Sequence, residues 1–256
     1  MSAMGWQVVR VLPRGEGRGP VWLVQRVLRT GRQLGYFKFA SPQSRQYLGP
    51  ALASELIATR LARALRLPVA PVQIARIRGQ TGLVSIVPVS RGRREWGALE
   101  PRVHGNIGRH VIGVQQIHKA FVFDVWIANI DRHGGNIIAY RRGAKYDFYL
   151  IDQALSLLAA ARYRRKPLNS PYWNNIRTYR PVIPPGINQD VHRARASLNM
   201  HARSIQRLPT ALIRRAVVTV PAAMLSPAQK RDTLALLLRR RRLLGDILRR
   251  SLPPDR

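Results

Sequence analysis

Only 12 acidic side chains stand against 44 basic ones in this 256-residue chain, so each carboxylate needs a reason to exist. Four of them, Asp124, Asp131, Asp147 and Asp152, fall in one apolar stretch, AFVFDVWIANIDRHGGNIIAYRRGAKYDFYLIDQALSL. Carboxylates among Phe, Val, Trp, Ile and Leu are costly to bury without a proton, a partner or a metal. The stretch reads as a hairpin, NIIAY and YDFYLI about the turn RRGAK. With Tyr140 opposite Asp147, an antiparallel ladder sets Asn136 opposite Ile151 and thus beside Asp152. Asp131 lies on the glycine-rich loop DRHGGN that leads into Asn136. Three oxygen-bearing side chains therefore converge. An Asn amide oxygen and an Asp carboxylate suit Mg²⁺, which takes few protein oxygens and keeps water and substrate phosphates. A free Asp nearby can orient an attacking hydroxyl and accept its proton. The layout fits phosphoryl transfer from a metal–nucleotide complex.

The elements that must hold these groups can be read outward from them. Residues 111–130 carry the apolar spacing of an interior helix, which the loop DRHGGN ends. Upstream, residues 7–12 and 21–28 read as strands joined by PRGEGRGP, with Gly15, Gly17 and Gly19 at alternate positions. Such a loop lets backbone N–H groups approach phosphate oxygens. The turn RTGRQLG leads to a short third strand around Gly35–Ala40 that carries Lys38. Residues 51–66 form an amphipathic helix with Glu55, the only acid between Glu16 and Glu95. Lys38 can neutralise nucleotide phosphates while Glu55 holds it by an ion pair. Strands at 72–77 and 82–89 follow, and backbone around Ser85, Val87 and Val89 is placed to meet an adenine. SRGRREWG is a polar link. The expected architecture is α+β and two-lobed: residues 1–89 a β-rich nucleotide-binding lobe, residues 90–256 a helical catalytic lobe. Within the latter, 165–190 is rich in Pro and Asn and reads as irregular, and helices are expected over 192–207, 210–217 and 227–250.

These motifs, in order, resemble the HipA-like kinases. The shared pattern is the strand–glycine loop–strand–turn–YFKF, the helix ASELIATRLARALRLPVAP, then FDVWIANIDRHGGN and YLIDQALSL. The resemblance covers most of the chain and is most specific over 124–136. It implies a protein-kinase-like fold related to phosphatidylinositol kinases, with ATP and Mg²⁺ as cofactors. It makes Asp131 the catalytic aspartate, His133 a member of the catalytic loop, and Asn136 and Asp152 the metal ligands. Lys38 becomes the phosphate-binding lysine and Glu55 its partner. Two departures stand out. GEGRG offers no Ser or Thr for regulatory phosphorylation, and Gln-Ala rather than glycine follows Asp152.

Composition bounds the rest. The chain has no cysteine, which excludes disulfides, thiolate metal sites and a cysteine nucleophile. No apolar run approaches the ~20 residues of a spanning helix, and the first residues lack a signal-peptide layout. A cytoplasmic location is expected. The other histidines lack ligand-like spacing, Asp124 is expected to pin the catalytic loop, and Trp126 and Trp173 to pack. Arg239–Arg242 run round a helix, so some must pair or snorkel while others face solvent, and the run as a whole reads as a solvated face. A net charge of +32 draws polyanions. The expected partner is a Ser/Thr protein substrate. Alternatives are a kinase-like scaffold binding nucleic acid or ribosomes, and a lipid or small-molecule kinase.

Overall fold

The computed structural model describes residues 5–12, 20–40, 50–88, 92–103, 105–179 and 182–251. Gly15, Gly17, Gly19 and Val89 lie outside these residues, as does the tail after Ser251. Strands β1 (Gln7–Val11), β2 (Val21–Leu28) and β3 (Gly31–Phe39) precede helix α1 (Ala51–Ala64), and β4 (Val72–Ile77) and β5 (Gln80–Ile86) follow it. They make one antiparallel sheet in the order β1-β2-β3-β5-β4. β3 is longer than its sequence suggests, because a tight turn at Arg29 and Thr30 lets Gly31 pair with Leu28 at once.

Side chains alternate across a strand, and β3 uses both faces. Phe37 and Phe39 pack with Val24, Ile77 and Val84 in a small core on one face. Lys38 points the other way, level with Leu83 of β5, which belongs to the larger core that also contains α1. Gly82 makes this close pairing possible: a Cβ there would stand 2.2 Å from the Lys38 carbonyl oxygen. Helix α1 is buried nearly all round from Ala51 to Ala62, Ser54, Glu55 and Thr59 included, rather than on the one apolar face its spacing suggests, because sheet and helical part cover it from both sides.

The second part opens with β6 (Arg94–Glu95), α2 (Trp96–Val103) and α3 (Ile107–His110). Then come α4 (Val114–Trp126), a 3₁₀ turn (Gly134–Asn136) and the hairpin β7 (Ile137–Arg142) and β8 (Lys145–Leu150). The remaining elements are α5 (Leu157–Tyr163), a second 3₁₀ turn (Pro171–Asn174), α6 (Ile176–Tyr179), α7 (Pro185–Arg193), α8 (Arg195–Gln206), α9 (Thr210–Val218) and α10 (Pro227–Ser251). β6, β7 and β8 form a separate small sheet. The two parts are stitched at the connector after α1, where Leu150 N–H donates to the Pro68 carbonyl (2.7 Å) and Ala70 N–H to the Leu150 carbonyl (2.9 Å).

Three sequence expectations are corrected. The polar link at 90–97 holds strand β6 and the start of α2, because Trp96 is fully buried and anchors it. The Pro- and Asn-rich segment 165–190 is not irregular throughout: Pro185 opens α7 at a position where its missing N–H costs nothing, and Trp173 packs in the core. Arg240 is not on a solvated face. It is completely buried, with Nε donating to the Trp126 carbonyl (2.9 Å) and the guanidinium also reaching the carbonyls of Val125 and Trp173. The Trp126 and Val125 carbonyls lie in the last turn of α4, where carbonyls run short of intrahelical donors, so the arginine helps to cap the helix and ties it to the Trp173 turn.

Candidate active site

Asp131, Asn136 and Asp152 are positioned by the hairpin in the register read from the sequence. Tyr140 pairs with Asp147, Ile137 with Leu150, and Ile151 N–H donates to the Asn136 carbonyl (3.1 Å). The Asn136 amide donates to the Asp131 backbone carbonyl (2.7 Å), which leaves its Oδ1 as the end available to a ligand. Asp152 follows β8 with φ +53, a left-handed conformation that Asp tolerates better than most residues.

The loop between α4 and β7 is held from beneath by a network the sequence disclosed only in part. Asp124, in the last turn of α4, accepts from Arg132 Nε (2.8 Å) and Nη2 (3.1 Å), and from the Asn129 amide (2.7 Å). Asn129 Oδ1 in turn accepts from the Asp131 N–H (3.1 Å). Asp124 therefore pins the loop, as expected. Nothing in the sequence sets Arg132 apart from the many other arginines. It is buried, and its remaining Nη1 reaches the carbonyls of Asn136 (3.1 Å) and Ile151 (2.9 Å), tying the loop to both strands of the hairpin. The signal available was Asp124 itself, since a buried carboxylate among apolar residues needs a cation. Fork geometry makes arginine the suitable one.

His133 caps the 3₁₀ turn: its Nδ1 accepts from Gly135 N–H (3.0 Å), which assigns the ring proton to Nε2. Nε2 lies 3.8 Å from Asp131 Oδ2, beyond hydrogen-bond reach.

From the opposite side, Lys38 Nζ lies 2.9 Å from Asp152 Oδ2 and 3.3 Å from Glu55 Oε2. Glu55 is 1% exposed. Burial drags the Lys38 ammonium down, but the charges of Asp152 and Glu55 and the hydrogen bonds they accept overcome it, leaving the group above its ordinary range. Burial also lifts the Glu55 carboxyl above its ordinary value, against the pull of Lys38 and with help from the like charge of Asp152. Helix α1 is locked to the chain after Asp152 by two further bonds. Thr59 Oγ1 donates to Gln153 Oε1 (3.3 Å), and Ala159 N–H donates to Ser54 Oγ (3.4 Å).

Lys38, Ser85, Val87, His133, Asn136 and Asp152 line one cleft of about 1020 Å³; Glu55 and Asp131 are not among its lining residues and lie behind Lys38 and Asn136, to which they are bonded. Arg93, Arg94 and Glu95 also line it, so the segment 90–97 is part of the cleft wall as well as a link. At its far end Ile86 N–H donates to the Pro71 carbonyl and Val87 N–H to the Leu34 carbonyl, while Pro88 has no N–H. Carbonyl oxygens and apolar side chains are what this strand offers a planar base.

No family model and no curated relative matches the chain. Solved structures do. A Helicobacter pylori proinflammatory kinase, CtkA, is 16% identical, with a TM-score of 0.63 over 95% of this chain and 94% of that one. HipA from the Shewanella oneidensis complex of HipA, HipB and operator DNA is 12% identical, with a TM-score of 0.42 over 98% of this chain and 65% of that one. The Mycobacterium tuberculosis PknI kinase domain is 16% identical, with a TM-score of 0.35 over 93% of this chain and 96% of that one. No described helix is long and apolar enough to cross a membrane. The small antiparallel sheet, the larger helical part and the likeness to CtkA together establish the kinase-like fold that the HipA-like motifs implied.

Proposed function

We propose that the chain is an ATP- and Mg²⁺-dependent phosphotransferase that acts on a Ser or Thr hydroxyl of a protein. One observation carries this reading: Lys38, held by Glu55, reaches across the cleft to within 2.9 Å of Asp152, beside Asn136. The donor set suits the metal. Asn136 Oδ1 and the Asp152 carboxylate are two hard oxygens, the number Mg²⁺ takes when nucleotide phosphates and water supply the rest. When bound, the metal would neutralise charge on the transferred phosphoryl group.

The chain's own residues do the remaining work. Lys38 draws the nucleotide phosphates into the cleft, and Glu55 keeps its ammonium oriented. Asp131, fixed through its backbone by Asn129 and Asn136, accepts the proton of the attacking hydroxyl. His133 is a positioning residue that shapes the turn carrying Asn136. Arg132 holds the loop and hairpin in one register. The net charge of +32 adds attraction for acidic partners, which falls as salt screens it.

The test compares wild type with Asp131→Ala and Asp152→Ala, measuring ATP consumption and nucleotide binding with and without Mg²⁺. Asp131→Ala should keep nucleotide binding and lose turnover by roughly 10²–10⁴-fold. Asp152→Ala should lose the magnesium dependence of binding. Equal, magnesium-independent binding by all three proteins would defeat the assignment.

A further inference from the structure

Among the described residues, the strongest feature outside the cleft is a second, open groove of about 510 Å³ at the C-terminal end of α1. Its wall carries Arg63 and Arg66, and its floor is Leu67, Pro68 and Val69, with Ile112 and Gln116 opposite. Both arginines are exposed. Arg66 ends the helix with φ +56, a conformation usually left to glycine, so a long cationic side chain stands where the backbone favours none. A third cation is close behind: Lys119 donates to the Leu65 carbonyl, and burial, then the charge of Arg66, hold its ammonium below the ordinary value. Two cations thus stand on the rim, with the Lys119 ammonium behind Arg66 and repelled by it. The one carboxylate lining the groove, Asp147, is bonded to Arg142 (3.1 Å) and to the Phe148 N–H (2.8 Å) rather than to Arg63 or Arg66. Facing them is the first turn of α4, which has no acidic residue and no side-chain cap.

We propose that this groove binds a phosphorylated side chain of a protein, with Arg63 and Arg66 gripping the phosphate. Paired arginines match phosphate geometry, and each charge-assisted bond to a dianion is worth more than one to a neutral group. The apolar floor and the size of the groove, much larger than a free phosphate, suit a peptide whose neighbouring side chains lie on Leu67, Pro68 and Val69. No aromatic ring lines the groove, which removes the stacking platform that single-stranded nucleic acid uses. The location gives the site meaning. Its floor is the connector from α1 to β4, whose Pro68 and Ala70 hydrogen-bond with Leu150, two residues before Asp152, so a phosphopeptide would dock on the segment that follows the Glu55 helix and is bonded to the end of β8. The inference does not depend on the chain transferring phosphate itself.

Binding of a labelled short phosphoserine peptide with apolar flanks is measured by anisotropy without nucleotide, beside its unphosphorylated twin and with inorganic phosphate as competitor. Wild type and Asp131→Ala should both prefer the phosphopeptide by about tenfold or more, so that loss of catalysis leaves the result standing. The doubly substituted Arg63→Ala/Arg66→Ala protein should lose that preference. Arg29→Ala/Arg32→Ala, the same charge change at the exposed β2–β3 turn, should keep it. Full displacement of the phosphopeptide by inorganic phosphate at concentrations near the peptide's own Kd would show that only the free anion is recognised, against the proposal. Equal loss in both double variants would reduce the effect to bulk charge and overturn it. An oligouridylate that loses affinity only in Arg63→Ala/Arg66→Ala, with the phosphopeptide unaffected, would reassign the groove to RNA and likewise overturn it.

Discussion

Lys38 and Glu55 illustrate how a residue's worth depends on its partner. Glu55 is nearly inaccessible to solvent, and Lys38 and Asp152 set its charge balance. Removing the ammonium leaves a buried carboxylate uncompensated, which costs on the order of 3–5 kcal/mol. Lys38→Met should therefore lower the melting temperature as well as abolish nucleotide binding. The loss has a pH signature. The Glu55 pKa is raised in the folded state, so its contribution is fully present below the unfolded value of about 4.3 and is lost as pH rises through the folded value. Without Lys38 that folded value climbs further. Lys38→Met should thus be relatively more stable at pH 5 than at pH 8, and Lys38→Met/Glu55→Gln should flatten the difference in thermal melts. A destabilisation independent of pH would mean that Glu55 is not the buried charge responsible.

At the scale of elements, β3 and β5 must approach closely for Lys38 to reach the cleft, and Gly82 is what permits it. Gly82→Ala should cost about 1–3 kcal/mol by overpacking. Its methyl group meets backbone rather than a flexible side-chain tip, so β3 must move and nucleotide affinity should fall with stability. Unchanged affinity in a titration of the folded variant would show that β3 can absorb the methyl group without displacing Lys38. This glycine was not singled out in the sequence, because a close backbone approach has no signature along one strand. The hairpin was legible for the opposite reason. Its register follows from a short turn and the strict alternation of side chains, both local properties.

Over the whole molecule, a net charge of +32 must weaken the folded state by self-repulsion. Raising NaCl from low to physiological concentration should raise the melting temperature, because the Debye length shrinks to about 8 Å. Acid should work in the other direction. Burial, then nearby cations, depresses the pKa of His192 (Arg177 and Arg195) and of His201 (Lys119 and His118) in the folded state. Stability from the neutral rings is present above the unfolded value of about 6.5 and is lost as pH falls through the lower folded values. Thermal melts between pH 8 and 5 should show this decline, and His201→Gln should lessen it. An identical pH profile for that variant would place the acid sensitivity elsewhere.

Chemistry-bearing residue types, their order and their local pairing were determined by the sequence alone. Asp131, Asn136 and Asp152 meet through one loop and one hairpin, and the spacing of α1 already marks Glu55 as an acid among apolar neighbours. Only the tertiary structure decided which cations are buried and which charges share a cleft. Arg132 and Arg240 look like any other arginines in a basic chain, yet one holds the loop that carries Asp131 and the other helps to cap α4. The approach of Lys38 to Asp152 likewise joins residues on opposite sides of a cleft. Periodicity and propensity act over a few residues, whereas these contacts depend on how sheet, helix and hairpin pack. A side chain's partner across such a distance has no trace in the residues beside it.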